Sequence, residues 1–239
     1  MTDNATQVSA SVSALEREFD TIAHNMANVS TTGFKRRCNG FTKAMEAQSG
    51  SEGPADESQG AFDFSQGTLV QTDRTLDFAL YGKGFFVIES PEGPLYTRHG
   101  VFQTNLNGQL VDTAGRLVSG TAGPLIVPPS IDVSEIHVDS SGRVSAGKAS
   151  LGQLRIVEFA DKESRLLGVG LNCFHAPNDV LPKEAQNVTV RQGYSEASNV
   201  KLVDELVNMI MVSRLYEANM KLMTVSRDNS SSAISVAMG

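Results

Sequence analysis

The chain has 239 residues and a formal net charge of −7, which suits one large or two small domains able to bury a core. Only Lys35-Arg36-Arg37 clusters positive charge, so general nucleic-acid binding, which needs many phosphate contacts, is excluded. Tryptophan is absent and glycine occurs 21 times, as in a turn-rich globular body and not in a disordered or collagen-like chain.

Cys38 and Cys173 lack the paired spacing of a metal or redox motif, and they read as two unrelated free thiols. A disulfide between them stays open for a chain outside the cytosol. No apolar run reaches membrane-spanning length. Met1–Ala10 carries neither a basic nor an apolar signal region, so these residues by themselves predict a cytosolic protein.

The first predicted element is a helix from about Asn4 to Ser30. Val8, Val12, Leu15, Phe19, Ile22, Met26 and Val29 alternate spacings of four and three along it, the seam of a coiled coil. Thr31-Thr32 weaken the helix and Gly33 is predicted to end it with a positive φ. Lys35-Arg36-Arg37 reads as a solvated helix end or loop. Phe34 and Phe41 lie beyond the stop, and Gln48–Gly60, with almost nothing apolar, is predicted to be a linker or exposed loop.

From Phe62 the period changes to two. Leu76, Phe78 and Leu80 alternate with Asp77 and Ala79, predicting a half-buried strand. Gly82-Lys83-Gly84 is read as a turn, since it lacks the second half of a phosphate loop. Asn107-Gly108 predicts a hairpin with a type I′ turn between Phe102–Leu106 and Leu110-Val111. Further alternation at Ile136/Val138 and Leu154/Ile156, with turn residues about every ten positions, gives a compact β domain. The last element is a helix capped near Ser198-Asn199 and running to about Arg227. Its stripe is Leu202, Leu206, Met209, Ser213, Tyr216, Met220 and Met223, and Ser230-Ser231-Ser232 predicts fraying beyond it.

The resulting expectation is an α+β fold. Residues 1–45 carry the N-terminal helix and its stop, 46–74 an extended linker, 75–190 the β domain and 191–239 the C-terminal helix. No catalytic constellation, cofactor site or metal site is expected. His24, His99, His137 and His175 never adopt ligand spacing. Asp132, Glu135 and Asp139 read as surface carboxylates, and no nucleophile elbow occurs. A seam of seven apolar residues must be covered by the other terminus or by neighbouring subunits, because each buried side chain is worth ~1.5–3 kcal/mol.

Ordered strings also resemble a known family. His24-Asn25-Met26-Ala27-Asn28-Val29-Ser30-Thr31-Thr32-Gly33-Phe34-Lys35-Arg36 is similar to the signature of bacterial flagellar rod and hook proteins. Ser65–Leu69 with Leu76–Leu80 and Gly82–Phe86 forms a second block, and Tyr96–Phe102 with Asn107–Leu110 and Gly115 a third. Ser198-Asn199-Val200, Glu205–Ile210 and Arg214-Leu215-Tyr216-Glu217-Ala218-Asn219 complete the resemblance.

The resemblance implies an axial subunit of the flagellar basal body, exported unprocessed by the flagellar type III apparatus into a periplasmic rod. There it would assemble with itself and other rod and hook proteins, through terminal helices that form an inner coiled-coil layer inside a β domain. Neither nucleic acid nor membrane insertion enters. The short polar stretch after the first helix makes the proximal-rod "F" type the first reading and the distal-rod "G" type the alternative. A secreted coiled-coil fibre or adhesin with a β head is the alternative from another class, and a carbohydrate-active β-domain enzyme would need a convergent carboxylate pair. Cys38 and Ser213 depart from the family pattern, Ser213 standing where glutamine is usual.

Overall fold

A computed structural model describes residues 2–39, 61–147 and 149–238. The expected linker at Gln48–Gly60 and Phe41 lie outside these residues. The architecture is α+β, with one helix near each end of the chain and strands between them. By contact the chain divides into two compact units, a helical one that includes Met1–Ala27 and Val200–Gly239 and a β unit of Asn28–Arg36 and Phe62–Asn199.

In the helical unit, α1 spans Thr2–Ala27 and α2 spans Leu202–Met238. Helix α1 stops three residues earlier than expected, because Asn28 and Thr31 bond to each other. The Thr31 N–H donates to Asn28 O at 3.1 Å, and the Thr31 hydroxyl to Asn28 Oδ1 at 3.1 Å. Such side-chain bonds compete with the helical ladder. Conversely, α2 continues through Ser230–Ser232, since serine is a tolerable interior residue and no Gly or Pro interrupts this stretch before Gly239. Its cap is also displaced: the helix begins at Leu202, and Asn199 is engaged elsewhere, as described below.

Leu15, Ile22 and Val212 are buried between the helices, with Phe19, Met26, Met209 and Tyr216 packed around them. The Phe19 and Tyr216 rings meet edge-on at 6.3 Å. Asn25 Nδ2 donates to Glu205 Oε1 at 3.3 Å. Moving back along α1 from Asn25 to Phe19 thus moves forward along α2 from Glu205 to Tyr216, so the two helices are antiparallel.

The β unit centres on a six-stranded antiparallel sheet. Its strands lie side by side in the order Leu167–Gly170, Cys173–His175, Leu95–Thr97, Phe85–Ile88, Ile156–Glu158 and Lys183–Glu184. Phe85–Ile88 is buried on both faces. Phe86 and Ile88 enter one core with Phe78, Phe102, Leu110 and Leu154. Phe85 and Val87 enter a second with Tyr96, Val157, Phe159 and Phe174. Period-two alternation therefore sorts one strand between two hydrophobic clusters.

Several expectations change here. The strand Phe78–Tyr81 and the residues before it are not half-buried: Asp77 and Ala79 are as enclosed as Leu76, Phe78 and Leu80. Alanine leaves room for a covering layer, and Asp77 lies 3.6 Å from the Arg74 guanidinium, which offsets the cost of enclosing a charge. The hairpin at Asn107-Gly108 forms, pairing Gln103–Thr104 with Leu110–Val111. Its turn is not type I′, because only Gly108 has positive φ, at 73°. Gly108 N–H closes the turn onto Asn105 O at 2.9 Å, and the glycine then takes the left-handed step of a longer hairpin loop. In the sheet of Ile136–Val138, Arg143–Ala146 and Ala149–Gln153, Ile136 and Val138 face inward and His137 outward, as the alternation predicts.

Candidate functional site

The charged run Lys35-Arg36-Arg37, expected to be solvated, begins with one of the most enclosed side chains of the β unit. Lys35 Nζ lies 2.6 Å from Glu196 Oε1, and neither side chain reaches solvent. It also donates to Ser65 O at 2.7 Å. Glu196 Oε1 accepts the Gly67 N–H at 2.9 Å, while Oε2 faces the Arg98 guanidinium at 3.3 Å. Arg98 in turn donates to Gly82 O at 2.8 Å and lies 5.3 Å from the centre of the Phe85 ring. One buried carboxylate thus serves two buried cations. Burial pulls both cations below their ordinary pKa values, against the opposing attraction of Glu196.

Backbone bonds extend this junction. Gly33 N–H donates to Glu196 O at 2.7 Å. Asn199 Oδ1 accepts the Arg36 N–H at 2.7 Å, and its Nδ2 donates to Asp63 O at 2.8 Å. Asn172 Nδ2 donates to Thr32 O at 3.2 Å. Gly33 has φ +67°, the predicted sign, but it does not end the helix, which stops at Ala27. A Cβ built on Gly33 would stand 2.5 Å from His99 N and 2.6 Å from His99 Cα. Glycine is required there twice, for backbone conformation and for close approach.

The junction therefore explains much of the signature in physical terms. Gly33 admits the Arg98-His99 backbone, Lys35 supplies the cation, and Asn199 fastens the chain on either side of the segment. Phe34 and Val200 are buried, Asn28 and Thr31 shape the turn after Ala27, and Val29 is half-buried. In the helical unit Asn25, also within the signature, exchanges two bonds of 2.9 Å with the Arg37 backbone.

The seam residues divide into two groups. Leu15, Phe19, Ile22, Met26, Met209 and Tyr216 pack between α1 and α2, and Val12 is half-buried. The side chain of Val8 lies outside those described. Leu202, Leu206, Met220 and Met223 are exposed, together with Val203, Val207, Ile210, Met211, Leu215, Leu222 and Val225. Ser213 is half-buried and was assigned the place that Val212 takes, at 1% exposure. The spacing that fits is three then four from Met209, not four then three. Arg214 and Glu217 are exposed on α2.

Glu196, Arg98 and Val212 escaped the sequence reading. Glu196 is the lone charge between Arg191 and Lys201, which is a usable signal, and Arg98 lies within a resembling block. The carboxylates Asp132 and Asp139 turn out to brace exposed turns: each accepts backbone N–H groups, from Ser134 at 2.8 Å and from Ser141 at 2.8 Å respectively. Cys38 and Cys173 are both buried free thiols, and Cys173 Sγ accepts from the Arg116 guanidinium at 3.0 Å. Among the described residues no helix is long and apolar enough to cross a membrane, and no group of three or more His, Cys, Asp or Glu is set to hold a metal ion.

Comparison with known proteins places these features in context. Residues 191–236 match the family described as flagellar basal body rod FlgEFG protein C-terminal, and residues 79–146 match the flagellar hook protein FlgE/F/G D1 domain. The chain is 31% identical to the flagellar basal-body rod protein FlgF of Caulobacter vibrioides, across 97% of each chain. It is 32% identical to FlgG of Agrobacterium fabrum across 91% of this chain and 93% of the relative, and 33% identical to FlgG of Bacillus subtilis across 88% and 90%.

Proposed function

Since the chain belongs to the flagellar basal-body rod protein family and is a structural rod subunit that assembles with other axial proteins, we propose that it is the proximal-rod, F-type subunit and that it polymerises through the outward face of α2. The observation that carries the polymerisation reading is the apolar surface of that helix. Val203 is 71% exposed, Ile210 55% and Leu222 61%, while the polar Glu205 is fully enclosed. So many exposed apolar side chains on one helix mark a surface that meets a partner. Covering each such side chain stabilises an assembly by ~1.5–3 kcal/mol before ordering costs.

In this reading α1 and α2 form the coiled-coil layer of the rod, and the chain reaches its place through the flagellar type III export apparatus. Its role is mechanical, not catalytic. The F-type assignment is supported by the alignment with the Caulobacter FlgF, which takes in 97% of both chains. The distal G-type reading draws on the equally high identity to several FlgG proteins.

A deletion strain distinguishes the subtypes. Basal bodies that halt before any distal rod forms support the F type, and a proximal rod that is completed but not extended supports the G type. A strain with complete rods would overturn both.

A further inference from the structure

Residues 105–108 close the hairpin between Gln103–Thr104 and Leu110–Val111, and the bonds that shape this loop leave the Asn107 carboxamide unengaged. Asn105 Oδ1 accepts the backbone N–H groups of Asn107 and Gln109, each at 2.9 Å, and Asn105 Nδ2 donates to Gln109 Oε1 at 3.0 Å. Asn107 is exposed, and its side chain has no hydrogen bond among the described residues. The next residue is Gly108, whose backbone nitrogen has no side chain beside it to hinder a close approach.

The sequence contains a second Asn-Gly pair, Asn39-Gly40. There the carboxamide is fixed, since Asn39 Nδ2 donates to Arg17 O at 3.0 Å and to Thr21 Oγ1 at 2.5 Å. The same dipeptide thus occurs once with its amide held by two acceptors and once with its amide free to turn back onto the following nitrogen. Intramolecular attack depends on that freedom, because the reacting atoms must meet in the right orientation.

We propose that Asn107 is a site of spontaneous deamidation in the folded protein. The Gly108 nitrogen attacks Asn107 Cγ and gives up its proton as the N–Cγ bond forms, while the Cγ–Nδ2 bond breaks and ammonia leaves. Water then opens the cyclic imide at either carbonyl, so that aspartate or isoaspartate replaces asparagine; no other reactant enters. Folding slows the attack without preventing it, because the Gly108 N–H must first leave Asn105 O, 2.9 Å away, a single bond in an exposed turn. The product adds a carboxylate to a chain whose formal net charge is already −7. As isoaspartate it also lengthens the main chain just before Gly108, whose carbonyl accepts the Val127 N–H at 2.7 Å. A Cβ built on Gly108 would stand 2.2 Å from Val127 O, so the hairpin tip has little room on that side and must shift.

The test incubates the purified wild-type chain in mildly alkaline buffer and follows both Asn-Gly pairs by peptide mass spectrometry, with isoaspartate separated from aspartate by chromatography. In the native protein Asn107 is expected to react at least about tenfold faster than Asn39, a difference of ~1.4 kcal/mol in barrier. In concentrated urea, where neither side chain is held, both rates should rise and converge. Asn107→Gln, whose side chain would have to close a larger ring, should remove the product from that peptide and leave Asn39 unchanged. A native Asn107 that reacts no faster than Asn39 overturns the assignment. So does an Asn107 that stays intact in the folded chain and reacts only in urea.

Discussion

Replacing Lys35 by methionine removes a charge while nearly preserving side-chain length, and its effect can be worked from the junction. Deleting one partner of a buried ion pair costs ~3–5 kcal/mol, because the other charge is left uncompensated. In Lys35→Met, Glu196 still keeps Arg98 at 3.3 Å and the Gly67 N–H at 2.9 Å, and Ser65 O still has Asn199 Nδ2 at 3.2 Å. The loss should therefore fall near the lower end, about 3 kcal/mol. Glu196→Gln leaves two cations, Lys35 and Arg98, enclosed together without their acid, so its loss should reach about 5 kcal/mol or more. For a unit of this size each kcal/mol lowers the melting temperature by ~2–4 °C, which predicts drops of roughly 6–12 °C and 10–20 °C. Calorimetry of the purified variants beside wild type reads both. A Lys35→Met protein within about 0.5 kcal/mol of wild type, the range of ordinary surface substitutions, would refute the reasoning, and so would Glu196→Gln proving the milder change.

Gly33→Ala should destabilise the β unit by ~1–3 kcal/mol from the left-handed backbone, and by more because the new methyl meets His99 N and Cα; urea unfolding measures it, with Gly33→Val expected to be worse. Leu206→Asp should leave monomer stability within ~0.5 kcal/mol yet abolish incorporation into basal bodies, whereas Phe19→Asp should also unfold the helical pair; circular dichroism beside a swimming assay separates the two, and normal motility of the Leu206 variant would remove that residue from the assembly face. Burial lowers the His99 pKa below its ordinary 6.5, with Asp112 and Asp77 opposing, so the folded state binds this proton less readily than the unfolded one. Stability is then fully present above 6.5 and falls as pH drops below it, and His99→Asn should flatten that decline in a series of denaturation curves.

How much of this was legible in the sequence depends on how far a residue's partner lies along the chain. The helix periods are local, so α1, α2 and the residues that can face a partner were readable, as was the positive φ of Gly33. Period does not say which apolar residues meet the same chain and which are left for a neighbour. Met209 and Tyr216 turn toward α1, while Leu206 and Met220, assigned to the same stripe, stay exposed. A strict four-then-three count chose Ser213, although the inward position after Met209 is Val212.

The ion junction was opaque for a stronger reason. Lys35 and Glu196 are 161 positions apart, and three consecutive basic residues ordinarily mean a solvated surface. Only the fold, which brings Phe34–Arg36, Asp63–Gly67 and Glu196–Asn199 together, turns the first of those charges inward. A single carboxylate therefore ties together three segments of the β unit that lie far apart in the chain. Segments so distant in sequence gain from a buried charge set, because any misplacement leaves a charge unpaired, whereas an apolar contact tolerates sliding.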